Sequence, residues 1–154
     1  MAEAVGFGLA RSGAIVLCGG LGGVMEAVCH GARQGGGLTV GLLPSTDAHP
    51  ANSAVMLPIV TGLGEARNMI LIHSAEAVIA IGGGWGTLSE IALARRAGLT
   101  VLGLHSWAPS GNQSLVEAVA SPEEAVARAV AAARQRRGSV GSAVYHIDIS
   151  ASNL

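Results

Sequence analysis

Apolar runs of strand length alternate along the chain with segments of helical period. Ala14-Ile15-Val16-Leu17-Cys18 is a continuous apolar run closed by glycines, the pattern of a strand buried on both faces. Val24, Ala27, Val28, Gly31 and Ala32 then recur as one helical stripe, which the glycines at 35–37 terminate. The same reading predicts strands at 38–43, 55–60, 77–81, 100–104 and 115–119. Helices are predicted at 2–12, 63–74 and 87–97. Ser121-Pro122-Glu123-Glu124 combines an N-cap, a first-turn proline and early acids, so a further helix starts there and runs to about Arg137. Polar loops separate these elements at 45–53 and 107–112. Repeated strand–helix alternation implies an α/β fold: a doubly wound, Rossmann-like parallel sheet with helices on both faces. The pattern divides the chain into one ligand-binding domain, 1–137, and a Gly/Ser/Ala-rich tail, 138–154, holding one strand-like run at 143–149.

Composition narrows the chemistry. Of the 154 residues half are apolar, 12% are charged and 3% aromatic, and 23 are glycine. A mean hydropathy of +0.51 fits a buried, turn-rich core rather than disorder. All nine basic residues are arginine. Without lysine there is no Schiff base to pyridoxal phosphate, no Walker-type phosphate lysine and no amine nucleophile. Net charge of −1 gives no electrostatic argument for nucleic acid or an anionic membrane as partner. Cys18 and Cys29 make no disulfide scaffold and read as small apolar core residues. The start lacks a signal-peptide pattern, so the expected location is the cytoplasm. His30, His49, His73, His105 and His146 show no metal spacing, and no metal is expected.

Three glycine-rich turns fall where strands end: Gly19-Gly20-Leu21-Gly22-Gly23, Gly62-Leu63-Gly64, and Gly82-Gly83-Gly84-Trp85-Gly86-Thr87. In a doubly wound sheet, ligands sit beyond the carboxyl ends of the strands. Glycine lets backbone approach a ligand, and the N–H groups of a helix start favour an anion, so a phosphate is the natural guest. The bland reading is three tight turns with nothing bound. None of the turns spells G-x-G-x-x-G, which argues against a standard NAD site.

Gly19-Gly20-Leu21-Gly22-Gly23-Val24-Met25, Gly41-Leu42-Leu43-Pro44, Ala66-Arg67-Asn68 and the run 82–90 (Gly-Gly-Gly-Trp-Gly-Thr-Leu-Ser-Glu) together resemble the LOG superfamily. Its members were formerly labelled lysine decarboxylases and include cytokinin-activating phosphoribohydrolases. The nearer resemblance is to the branch holding the molybdenum-cofactor carrier proteins. It covers about residues 2–135. The resemblance implies a small phosphate-bearing ligand, a molybdopterin cofactor or a nucleoside monophosphate, with no cofactor needed for folding, and a homodimer or larger homo-oligomer. It places Gly83, Gly84, Gly86 and Thr87 around the phosphate and Gly20 and Gly23 in the neighbouring turn. Arg67 and Glu90 fall where the hydrolase branch has its catalytic arginine and glutamate. There the arginine grips the ligand, while the carboxylate activates water and stabilises charge as the N-glycosidic bond breaks. The chain departs from that branch at Gly82, where it has proline, at Ser89, the first of its paired glutamates, and at Gly64 and Asn68, its methionine and lysine. Those departures favour the carrier-like branch, which binds rather than cuts.

Each residue also has a structural reading. Thr87-Leu88-Ser89-Glu90 spells a capping box in which Glu90 would turn back on the helix start. Arg67 stands in a first helical turn, where the dipole disfavours a cation, which points to a ligand clamp. Asn68 either caps or hydrogen-bonds a ligand edge. Trp85 either stacks on a flat heterocycle or is buried at a subunit contact. Met25 reads as helix core, and Asp47 and Asn52 as turn residues or a rim over the pocket.

One strand remains to be placed. The resembled family begins with a strand and a Gly/Ser turn before the helix at 2–12, and that strand would lie near the middle of the sheet. Residues 144–149, followed by a Ser-rich turn, have the same order of features. The expectations are a strand filling the central gap, as in a circular permutation, or an edge strand or loose tail.

Overall fold

In the computed structural model, which describes residues 1–107, 116–138 and 145–150, the predicted alternation closes into one seven-stranded parallel sheet. The strands are β1 (Ala14–Cys18), β2 (Thr39–Leu43), β3 (Leu57–Val60), β4 (Ala77–Ile81), β5 (Thr100–Leu104), β6 (Glu117–Ala118) and β7 (Tyr145–Ser150). The helices are α1 (Ala2–Arg11), α2 (Val24–Gln34), α3 (Arg67–Ser74), α4 (Trp85–Arg96) and α5 (Pro122–Arg137), with a 3₁₀ turn at Gly64–Ala66. Sheet order is β3-β2-β1-β7-β4-β5-β6, and every pairing is parallel.

The apolar runs are continuous because each central strand is covered twice. Val16, Ile79, Leu102 and Leu104 face a core that Val5 and Leu9 of α1, Val28 and Ala32 of α2, and Ala129 and Val130 of α5 complete. Leu17, Val78, Ala80 and Val101 point the other way, onto Leu71 and Ile72 of α3 and Ile91 and Ala94 of α4. Period-two alternation within an all-apolar run thus builds both cores of a three-layer fold. On the first face α1 and α2 cross backbone to backbone. A Cβ on Gly31 would overlap the Glu3 carbonyl, and one on Gly6 the Val28 carbonyl.

β7 lies in the middle of the sheet. Ala14, Ile15, Val16 and Leu17 of β1 register with Tyr145, His146, Ile147 and Asp148, while Ala77, Val78, Ile79 and Ala80 of β4 register with Ile147, Asp148, Ile149 and Ser150. α5 packs across β4, β5 and β7, and Ile149 is buried. Of the alternatives left open by the sequence, the central place is the one taken. Residues 143, 144, 151 and 152 of that expectation lie outside the described residues.

Several element bounds differ from the sequence reading. α4 starts at Trp85 rather than Thr87. Gly84, extended at φ −119° and ψ −178°, is its N-cap, and no side chain caps it. Glu90 is therefore in the second turn, and Thr87 is not the N-cap that the capping-box reading requires. The helix expected at 63–74 divides into the 3₁₀ turn, entered through Gly64 at φ +55°, and α3. β3 begins at Leu57 and exposes all four of its residues at the sheet edge. Only Glu117 and Ala118 of the stretch 115–119 pair with β5; residue 115 is outside the described residues. Loop residues 108–112 are outside them as well. Among the described residues, no helix is long and apolar enough to cross a membrane.

Candidate functional site

Parallel strands bring all their carboxyl ends to one rim, so the three glycine turns meet there. The first leaves β1. Gly20 and Gly23 hold φ of +75° and +69°, a region that side chains disfavour, and Gly23 becomes the N-cap of α2 without a side-chain cap. Asn52 clamps this turn: its Nδ2 donates to the carbonyls of Gly20 (3.1 Å) and Leu21 (2.8 Å), and its Oδ1 accepts from the Ala54 N–H (3.1 Å). A Cβ on Gly20 would stand 2.7 Å from Leu43 Cδ2, so the turn presses onto β2 on that side. Asp47, by contrast, only closes its own exposed turn, accepting from the His49 N–H at 2.9 Å.

The second turn delivers Arg67. Gly62 and Gly64, both at positive φ, lead through the 3₁₀ turn straight into α3, whose first two residues are Arg67 and Asn68. Each is only 8% exposed. The guanidinium lies across the first turn, where a Cβ on Gly19 would come within 2.6 Å of Nη1 and 2.8 Å of Cζ. Its Nε and Nη1 are shielded from solvent and have no hydrogen-bond partner, and Asn68 Oδ1 is in the same condition. Leaving guanidinium N–H groups buried without acceptors is costly, and buried polar atoms are satisfied in the great majority of cases. Three orphans in two adjacent residues mark a place shaped for a polar guest.

The third turn leaves β4 through Gly82, at φ +71°. Trp107 packs on it: a Cβ on Gly83 would lie 2.7 Å from the indole Nε1, which donates to the Gly84 carbonyl at 3.2 Å. Trp85 opens α4 with 81% of its surface exposed, its ring 5.8 Å from that of Trp107. The N–H groups of Trp85 and Gly86 lie in the first turn of α4, for which an α-helix supplies no backbone acceptor.

Between the second and third turns lies a cleft of about 370 Å³, at the lower end of the range for small-molecule sites. Arg67, Asn68, Gly86 and Glu90 line it, as does Trp85. Gly20, Gly23, Gly83, Gly84 and Thr87 do not line it, and Thr87 is wholly buried. Leu21, Met25, Pro44, Gly64, Glu65 and Ser89 complete the lining. Sequence reasoning did not select these six for the site, although each adjoins a strand-ending turn. Met25 does belong to a core cluster, as expected, and reaches the cleft as well. One cation, an orphaned acceptor, two carboxylates and an exposed indole suit a guest with an anionic end and a flat, hydrogen-bonding body.

The cysteines meet beside this site. Cys18 and Cys29 are both buried, unlinked by a disulfide, with their sulfurs 3.5 Å apart.

Known proteins share this architecture. An uncharacterised protein of Archaeoglobus fulgidus is 42% identical over 126 residues, 82% of this chain and 81% of its own length. The molybdenum cofactor binding protein of the phototrophic bacterium Rippkaea orientalis superposes with a TM-score of 0.75 at 39% identity, over 82% of each chain. The molybdenum cofactor carrier protein of Chlamydomonas reinhardtii gives 0.73 at 39% identity, over 83% of each chain. Residues 1–135 match the SLOG cluster4 family as a whole, and the chain belongs to that family.

Proposed function

We propose that this protein binds and carries a molybdenum-cofactor-type cargo, a flat heterocycle with a terminal phosphate, in the cleft between the second and third glycine turns. The observation that carries this reading is the Arg67 guanidinium: buried, without a partner at Nε and Nη1, and facing a cleft of suitable size. A dianionic phosphate would supply the missing acceptors through charge-assisted hydrogen bonds. In this reading Gly84, Gly86 and Thr87 offer the phosphate the N–H groups and positive end of α4. Gly20, Gly23 and Gly83 shape the turns that hold Arg67 and α4 in place. Asn68 and Glu90 take the hydrogen-bonding edge of the ring system, with Trp85 against its face. Similarity to the Rippkaea and Chlamydomonas proteins supports the same cargo.

A second reading has one observation in its favour: Arg67 and Glu90 line the same cleft, as a nucleoside 5′-monophosphate phosphoribohydrolase would need. One experiment separates the two. Purified protein is titrated anaerobically with isolated molybdenum cofactor and, separately, incubated with AMP and a cytokinin ribotide. Saturable retention of the cofactor without release of free base supports the carrier. Release of adenine or cytokinin base supports the hydrolase and overturns the first reading.

The reading includes self-association. Leu57, Ile59 and Val60 of edge strand β3 are exposed together with Met56, Leu63, Met69 and Ile70. An apolar sheet edge of this kind pairs with another chain unless it is protected. Light scattering should give a homo-oligomer, and Ile59→Lys should shift it toward monomer.

A further inference from the structure

Cys18 is the last residue of β1, and Cys29 lies in the second turn of α2, on either side of the first glycine turn. Their surroundings are apolar: Met25 and Ala54 in the same cluster, with Leu21, Val24 and Val55 against it. The Gly20 N–H donates to Cys18 Sγ at 3.4 Å. Cys18 thus accepts from the turn and shares with Cys29 a hydrogen bond that either thiol can donate. Their settings differ. The hydrogen bond with Cys29 and then burial raise the Cys18 pKa, whereas the hydrogen bond with Cys18, and after it one from Asn52, lower that of Cys29 against the opposing effect of burial. Cys29 is the incipient thiolate and Cys18 the resolving thiol.

We propose that Cys18 and Cys29 are a redox modification site, closing reversibly to a disulfide under peroxide and locking the β1–α2 turn that seats Arg67. Sulfurs already 3.5 Å apart must approach by only about 1.5 Å to reach the roughly 2.05 Å of a disulfide. The Cys29 thiolate attacks one oxygen of hydrogen peroxide. The O–O bond breaks, hydroxide leaves and takes up a proton as water, and Cys29 becomes a sulfenic acid. Cys18 sulfur then attacks Cys29 sulfur. The S–S bond forms, the S–O bond breaks, and the departing hydroxide leaves as water with the Cys18 proton. Two thiols lose two electrons and two protons, and one peroxide becomes two waters. The bond would join the two flanks of the turn on which the Arg67 guanidinium lies, so oxidation stiffens the floor of the cleft.

The test uses the whole, folded chain. Reduced protein is treated with near-stoichiometric peroxide, blocked with N-ethylmaleimide and weighed intact. The expected product is a single chain two hydrogens lighter, with no maleimide added, restored by dithiothreitol. In Cys18→Ser the reaction should stop at a Cys29 sulfenic acid that dimedone traps. Hydrogen exchange at residues 19–24 should slow about tenfold on oxidation. If the serine variant does not fold, the wild-type mass decides. The proposal fails if both thiols still take maleimide in the folded protein and pair only after urea unfolding. It also fails if pairing is between chains, if Cys29 goes to sulfinic acid without pairing, or if exchange at 19–24 is unchanged.

Discussion

The helix starts at the cleft and the start that follows edge strand β6 are finished in opposite ways. After β6, α5 begins with Ser121, whose Oγ accepts from the Glu124 N–H at 3.2 Å, followed by Pro122 in the first turn. Its arginines are matched: Arg128 with Glu124 and Glu117, and Arg137 with Glu76 at 2.9 Å. Around the central cleft, α2, α3 and α4 open after Gly23, Ala66 and Gly84, none with a side-chain cap. The arginine there, Arg67, is more deeply buried than Arg137 and has no acceptor at Nε or Nη1. The chain can cap a helix and pair an arginine. α1 also lacks a side-chain cap; what sets the cleft apart is that three such starts and a buried arginine converge there, the arrangement the proposed phosphate site uses.

The largest expected effect lies on the closed side. Gly31→Ala would drive a Cβ into the Glu3 carbonyl, and the forced separation of α1 from α2 should cost about 3 kcal/mol. Thermal unfolding should drop by roughly 10 °C, with cargo affinity in the surviving folded protein unchanged.

Arg67→Met reverses that pattern. Loss of a buried, charge-assisted phosphate contact should weaken binding about 100-fold, or about 2.7 kcal/mol. Stability should hold or rise, since the substitution removes two buried N–H groups that have no acceptor. Its control, Arg137→Met, breaks a partly exposed ion pair and should lower stability by about 1 kcal/mol without touching affinity. A melting curve that falls with Arg67→Met while binding survives would make Arg67 structural and erase the contrast.

A smaller displacement should follow from Gly19→Ala. The new Cβ meets only the far end of a flexible side chain, so the fold should persist by circular dichroism while Arg67 shifts and affinity falls about tenfold.

The smallest effects belong to the capped helix. Ser121→Ala should cost about 1 kcal/mol in urea unfolding and leave binding alone. Glu124 is held below the usual carboxylate range by the Ala120 N–H, with a smaller contribution from Arg128, and Glu123 by the backbone and Ser121 at its own helix start. A lowered folded pKa means stability that is full above the unfolded value and is lost as pH falls through the folded one. Melting temperature should therefore fall with acidification below the ordinary carboxylate range, and Glu124→Gln should flatten that slope.

The sequence revealed the scaffold better than the surface of the site. Runs 14–18, 77–81 and 100–104 were legible as strands because burial on both faces leaves no charged position within them. Arg67 stood out because a cation in a first helical turn has no local reason to be there. The start of α4 was misread because Thr87 and Glu90 spell a capping box, while the actual N-cap is the extended backbone of Gly84, which composition does not report. Trp107 on Gly83, and Leu43 beside Gly20, are contacts between segments far apart in sequence, invisible to any local pattern. The same holds for the Cys18–Cys29 approach and for β7, whose place depends on which strands it pairs with rather than on its own residues. β3, legible only as a strand over 55–60, is exposed because its apolar residues occupy an edge, which the run itself does not report.

The most direct measurement is a crystal structure of the protein with molybdenum cofactor bound. The account predicts the terminal phosphate within hydrogen-bonding distance of Arg67 Nη1 or Nε, beside the first turn of α4. A phosphate seated elsewhere, with the Arg67 guanidinium still unpaired, would contradict it.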